Sequence, residues 1–334
     1  MVLHRLSSAV AALLLLASPV IAQDATPDAT QAGTPQRSVN VTFDDLPFQA
    51  SYDVLCDPAG VEAMTDDFVA MLKPLDTHAV AFVNEGLVCD EVRANVLPGV
   101  LKRWTDAGIE LGNHTFSHID ANTATADAWL AEVDRGEIYT RPLVEAEGGE
   151  LRWLRHPYLH AGDTQDKADA IAAGLTARKY IVAPVTLDNN DWMFAVVYRA
   201  AEAAGDAALM TRIGEAYVAH MVATLDHDEP YSAELNNGRE PAQVLLLHAN
   251  SLNRDWYPQI HALFLSRGYR FVPLETALAD PIYARADTFV GEAGVSWLYR
   301  WAVTEGLAQR AGPQPPQWVR DDYVAIEAAL ASGD

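Results

Sequence analysis

Two aspartates in succession, Asp44 and Asp45, end the run Ser38–Phe43, which alternates polar residues with Val39, Val41 and Phe43. Adjacent carboxylates repel, so both stay ionised cheaply only beside a cation or an arginine. A turn or a helix cap also uses aspartate, so the pair alone is weak evidence. His114 and His118 stand four apart in Glu-Leu-Gly-Asn-His-Thr-Phe-Ser-His. On a helix that is one turn, and two imidazoles can then close on a single ion. Ten histidines in 334 residues give such a spacing by chance in roughly a quarter of chains. His156 and His160 repeat it, although Pro157 disfavours a helix there. One carboxylate with two neutral imidazoles leaves positions open for water and substrate, as a catalytic ion requires.

Three further polar clusters are Arg155-His156-Pro157-Tyr158, Asp188-Asn189-Asn190-Asp191-Trp192 and Leu246-Leu247-His248. Singly, each has an ordinary reading: a surface ion-pair arginine, an aspartate cap, a satisfied core histidine. What positions all five clusters is an alternation of short β-rich runs with helical stretches from residue 38 onward. Strands are expected at Ser38–Phe43, His78–Val83, Gly108–Gly112, Leu151–Leu154, Lys179–Val182, Val244–Leu247 and Tyr269–Val272. Between them the spacing predicts helices over Val61–Leu72 and Asn95–Asp106, from Thr125, and over Gln165–Gly174. Such alternation argues for a mostly parallel sheet covered by helices, with sites at the C-terminal strand ends. Residues 194–240 interrupt it with long helical stretches and read as an insertion. Residues 280–334 form an aromatic-rich tail whose Trp297, Trp301 and Trp318 suit packing or sugar stacking.

The five clusters, in this order, resemble the polysaccharide deacetylases (NodB-homology, carbohydrate esterase family 4). Thr42–Asp45 matches Thr-Phe-Asp-Asp, and His114–His118 matches His-[Ser/Thr]-x-x-His. Arg155–Tyr158 matches Arg-x-Pro-[Tyr/Phe/Trp], Asp188–Trp192 matches Asp-x-x-Asp-Trp, and Leu246–His248 matches Leu-x-His. The similarity spans about residues 38–275. It implies a distorted, incomplete (β/α) barrel over 38–279, bearing the helical insertion and a C-terminal extension. It also implies that Asp45, His114 and His118 hold a divalent ion, most often zinc, with cobalt or other divalent ions as substitutes. By the same resemblance Asp44 is the general base toward water, and Arg155 orients it. His248 is the general acid, oriented and tuned by Asp191. The backbone N–H of Tyr158 helps bind the oxyanion, and Trp192 and Leu246 wall the acetyl methyl pocket.

The resemblance points to hydrolysis of acetyl groups on sugars, N-acetyl first and O-acetyl as a variant. A small-molecule amidase of the same fold and a non-catalytic sugar-binding protein are the alternatives. The latter needs neither a base at Asp44 nor an acid at His248. The long loop from Asp44 through Pro47, Tyr52 and Cys56 is a departure that could close the open groove a polymer needs.

The formal net charge of −23 disfavours nucleic acid and anionic lipid as partners. Half the residues are hydrophobic and 21% charged, as in a globular chain with a large core. Residues 1–22 read as an export signal: His4 and Arg5, the apolar run Ala9–Ala17, then Val20-Ile21-Ala22 before Gln23. Residues 23–37 read as a polar linker. The apolar run is too short to span a bilayer, so a secreted or periplasmic protein without stable membrane insertion is expected. In an oxidising compartment Cys56 and Cys89 are either one disulfide or two buried thiols.

Overall fold

The computed structural model describes residues 37–332. The expected export signal, and all of the expected linker except Arg37, lie outside them. Eight strands form one parallel sheet: β1 (Arg37–Leu46), β2 (Val80–Val83), β3 (Glu110–Asn113), β4 (Trp153–Leu154), β5 (Ile181–Val182), β6 (Leu187–Asp188), β7 (Gln243–His248) and β8 (Tyr269–Phe271). Their order is β5-β4-β3-β2-β1-β7-β6, with β8 paired to the start of β1. Helices connect all successive strands except β5 and β6 and cover the sheet, giving the parallel arrangement that the alternation implied and the curled, incomplete (β/α) barrel that the resemblance implied. No helix among the described residues is long and apolar enough to cross a membrane.

β1 lies mid-sheet between β2 and β7, and from Val39 onward it is buried on both faces by the side chains packed against the sheet. Phe43 packs edge-on against Phe68 of the helix Pro58–Leu72 and against Tyr257 of the helix Ser251–Ser266, at 5.2 and 5.4 Å. Burying a side chain of this size contributes roughly 1.5–3 kcal/mol. The β1–β7 register sets Asp44 beside His248, so the two clusters most distant in sequence become neighbours.

Several bounds differ from those expected. β1 runs through both aspartates to Leu46, since its backbone keeps pairing with β2 and β7 past Phe43. The helix expected over 95–106 is two helices, Asp90–Asn95 and Leu97–Asp106, because Pro98 favours a new first turn. β6 was not expected as a strand, as two residues carry no periodicity. Residues 194–240 mostly form two helices, Asp191–Ala203 and Ala207–Leu235, in the crossover from β6 to β7. Phe194, Tyr217 and Met221 of these helices lie in the main core.

Trp297 and Trp301 of the tail are buried against Val185, Tyr231 and Leu246, and Trp318 stacks on the Arg212 guanidinium at 4.0 Å. The Trp297 N–H donates to Val185 O at 2.6 Å, so the tail seals the chain between β5 and β6. Cys56 and Cys89 adjoin, with the Cys89 Sγ 4.0 Å from Cys56 O.

Candidate active site

Successive residues of a strand point to opposite faces, so Asp44 and Asp45 would ordinarily diverge. Asp45 has φ 65°, a left-handed conformation unusual for a residue with a Cβ, which breaks the alternation. Both carboxylates therefore line one cavity of about 460 Å³. Cis Leu46–Pro47 follows, and Gln49 returns an amide to Asp45 Oδ2 at 3.3 Å.

His114 and His118 do not sit on a helix, contrary to the spacing argument. They flank a loop after β3 in which Thr115 (φ 66°) and His118 (φ 56°) are left-handed. The loop is held from outside. Asn113 Oδ1 accepts from Thr115 N–H at 2.7 Å, and Asn84 Nδ2 donates to the carbonyls of His114 and Thr115. Phe116 N–H donates to Glu132 O, and Ser117 N–H to the Glu132 carboxylate at 2.9 Å, from the helix Ala126–Arg135. Gly136 ends that helix where a Cβ would lie 2.7 Å from Thr115 C and 2.9 Å from Phe116 N. Gly136→Ala is thus expected to destabilise the fold by about 1–3 kcal/mol in a denaturant titration and to weaken cation affinity through the displaced loop. Unchanged stability and affinity would remove Gly136 from this supporting role.

Asp45 Oδ1 lies 3.6 Å from His114 Nε2 and 3.5 Å from His118 Nε2. Two ligands about 2.0–2.1 Å from a tetrahedral ion stand ~3.4 Å apart, so the three atoms have the spacing of a ligand set. Asp45 Oδ1 is buried and has no hydrogen-bond partner among the described residues. His114 Nδ1 is bonded to Arg155 O at 2.8 Å, which as an N–H donor leaves Nε2 with its lone pair toward Asp45. Burial first, and then the neighbouring His118, hold His114 well below the usual imidazole range. Burial likewise lowers His118, against the opposing pull of Asp45. Both rings are therefore neutral, as ligands must be. The donor set fits a divalent cation. Among the described residues these three side chains are the one such group.

The competing pair does not converge. His156 is buried and stacked on Trp129 at 4.9 Å, with burial lowering it to about 3. His160 pairs with Asp120 at 2.8 Å. A second cavity, of about 430 Å³, lies beyond His156 against Trp297 and Trp301.

Arg155 is fully buried behind Asp44. Its Nη1 reaches the Asp44 carboxylate at 3.1 and 3.3 Å, Nη2 donates to Thr42 Oγ1, and Nε donates to Ala183 O. Burial raises Asp44 to about 6, with Arg155 the largest opposing influence. Near neutral pH Asp44 is therefore mostly an ionised carboxylate whose proton affinity lies close to the working pH, as suits a general base.

On the other flank, His248 Nδ1 meets Asp191 Oδ1 at 2.8 Å, and its backbone N–H donates to Oδ2 at 2.8 Å. Burial alone would lower His248, but the charge and hydrogen bond of Asp191 raise it to about 10. With Nδ1 engaged, Nε2 is left for the cavity. Asn253 Nδ2 donates to Asp191 Oδ2 at 2.6 Å and to His248 O at 2.9 Å, while Tyr217 O–H donates to Asn253 Oδ1. The motifs give no sign of Asn253. Its only sequence signal is a place in the first turn of the helix five residues after His248.

Tyr158 (φ 57°) and Leu159 (φ 58°) are left-handed in the turn after β4, and the Tyr158 ring meets His118 edge-on at 4.4 Å. Trp192 and Leu246 line the same cavity. The residues to which the resemblance gave a role therefore meet at one end of the barrel: Arg155 and Asp191 behind the wall, the others on it. Wall residues that were not anticipated are Gln49, Leu159 and, from the tail, Gly294 and Tyr323.

Residues 31–177, which contain the first three of the five motifs, match the family model described as polysaccharide deacetylase. A chitin deacetylase of Colletotrichum lindemuthianum is 27% identical over 154 residues, which are 46% of this chain and 52% of that protein. The chain thus spans about half the length of that curated relative. The solved structure of a chitin deacetylase from the same fungus superposes with a TM-score of 0.50 at 20% identity, covering 72% of this chain and 87% of that one. A peptidoglycan deacetylase from Bacillus subtilis covers 73% and 93% at 20% identity, with a TM-score of 0.46.

Proposed function

We propose that this chain is an exported, divalent-metal-dependent hydrolase that removes acetyl groups from N-acetylated sugars. The observation that carries the reading is the meeting of three elements on one cavity: the Asp45/His114/His118 donor set, the Asp44–Arg155 pair and the His248–Asp191 pair. Zinc suits the ligands best, since one carboxylate and two imidazoles are its common donors. A bound cation would supply Lewis acidity, favouring ionisation of water and polarising an acetyl carbonyl.

The rest of the chemistry belongs to the chain. Asp44 accepts the proton from the attacking water as the new C–O bond forms, and Arg155 holds its carboxylate in place. The Tyr158 backbone N–H donates to the developing oxyanion. His248 delivers its Nε2 proton to the nitrogen as the C–N bond breaks, releasing amine and acetate. Its raised proton affinity keeps it charged at neutral pH for that step. Asp191 fixes the ring, and Trp192 and Leu246 flank the acetyl methyl group. The same residues serve an acetyl ester, where His248 protonates an alkoxide.

Export rests on residues 1–22 alone. A sugar-binding protein without turnover would leave the Asp44–Arg155 and His248–Asp191 pairs without a role. Zinc-loaded protein should release acetate from at least one of chitin oligomers, peptidoglycan and acetylxylan. Binding of these sugars without any acetate release would favour the non-catalytic alternative.

A further inference from the structure

The C-terminal extension reaches the cavity at two places on opposite sides of the strand order, Tyr158 after β4 and Trp192 after β6. At the first, a Cβ on Gly294 would lie 1.7 Å from Tyr158 O and 3.4 Å from the His160 ring, so the tail backbone is pressed onto the turn. Asn122 secures the same segment, its Nδ2 donating to Gly291 O at 3.1 Å and to Glu292 O at 3.3 Å. At the second, Tyr323 of the helix Gln317–Ser332 meets the Trp192 ring edge-on at 5.3 Å. A polymer bound through an interior residue needs clear passage on both sides of that residue. Here one backbone layer and one aromatic pair stand on the two flanks. The cavity, about 460 Å³, falls toward the small end of the ~300–1,000 Å³ of single small-molecule sites.

We propose that the extension, through Gly294 against Tyr158 and Tyr323 against Trp192, makes the site a pocket for the terminal residue of short acetylated sugars and bars interior residues of polymers. The inference rests on the deacetylase reading and narrows its substrate class. Tyr323 and the Asn122-held segment act as specificity determinants by occupying the space through which a sugar chain would continue.

The test uses the full-length zinc-loaded protein with chitin oligosaccharides of two to six residues, the deacetylated position being read by mass spectrometry. The expected result is loss of one acetyl group at a chain end, with kcat/KM changing little beyond the disaccharide. Deacetylation at interior positions, with kcat/KM rising about tenfold or more with length, would overturn the inference. Asn122→Ala and Tyr323→Ala should each raise the six-to-two-residue ratio of kcat/KM by about tenfold and add interior products. An unchanged ratio in both variants would remove the extension from this role. If no length yields acetate, and neither peptidoglycan nor acetylxylan does, the deacetylase reading itself fails. Calorimetry of the same oligosaccharides with the Asp44→Asn protein then reads the enclosure separately: affinity that levels off at two residues supports it, and affinity that climbs with length overturns it.

Discussion

Asp44→Asn is expected to lower acetate release by about 10²–10⁴-fold while the protein keeps its cation. The substitution preserves size and leaves an amide oxygen for the Arg155 guanidinium. Arg155 also keeps Thr42 Oγ1 and Ala183 O as acceptors. What is lost is a carboxylate that faces the cavity beside the donor set, is held by Arg155 and is raised to about 6 by burial. An amide cannot accept the proton from water at any working pH. Metal analysis and acetate release on the same sample separate the two effects. Turnover at the wild-type rate would take Asp44 out of the base role, and loss of the cation along with turnover would make it a ligand instead.

Asp191→Asn should cost about 10²-fold in kcat/KM near neutral pH and move the alkaline limb of the pH profile downward. The sign follows from the opposing influences on His248. Burial favours the neutral ring, and the Asp191 charge overcomes it to hold the ring protonated to about pH 10. Without that charge burial prevails, and the ring is neutral where the enzyme must donate a proton. In the wild-type protein kcat/KM should rise as Asp44 ionises near pH 6 and fall as His248 loses its proton toward pH 10. A cation on Asp45 shifts both limbs to lower pH, since it disfavours protons on both groups. An alkaline limb in the same place in Asp191→Asn would show that another group is the acid.

The polar clusters were legible because chemistry restricts residue type at a strand end. Thr42–Asp45, His114–His118, Arg155–Tyr158, Asp188–Trp192 and Leu246–His248 all stand at the same end of the sheet. The strand–helix alternation was legible for a related reason, since a buried parallel strand tolerates little but apolar residues. What the sequence concealed is backbone conformation and long-range support. Nothing in Asp45 or His118 announces a left-handed φ, which is why the histidine pair was attributed to a helical turn. Glu132, Gly136 and Asn253 act across 15 to 62 positions of chain, through contacts that no local pattern encodes. The tail was legible only as aromatic. That Trp297 and Trp301 would be buried while Tyr323 and a glycine reach the cavity depends on how the chain crosses the barrel.

The most direct test removes the cation. Protein stripped by chelator and shown by elemental analysis to be metal-free should release no acetate from chitin oligomers. One equivalent of Zn²⁺ or Co²⁺ should restore release in wild-type protein and fail to do so in His114→Ala. Full activity in the verified metal-free protein would contradict the assignment of Asp45, His114 and His118 as the metal site of a hydrolase.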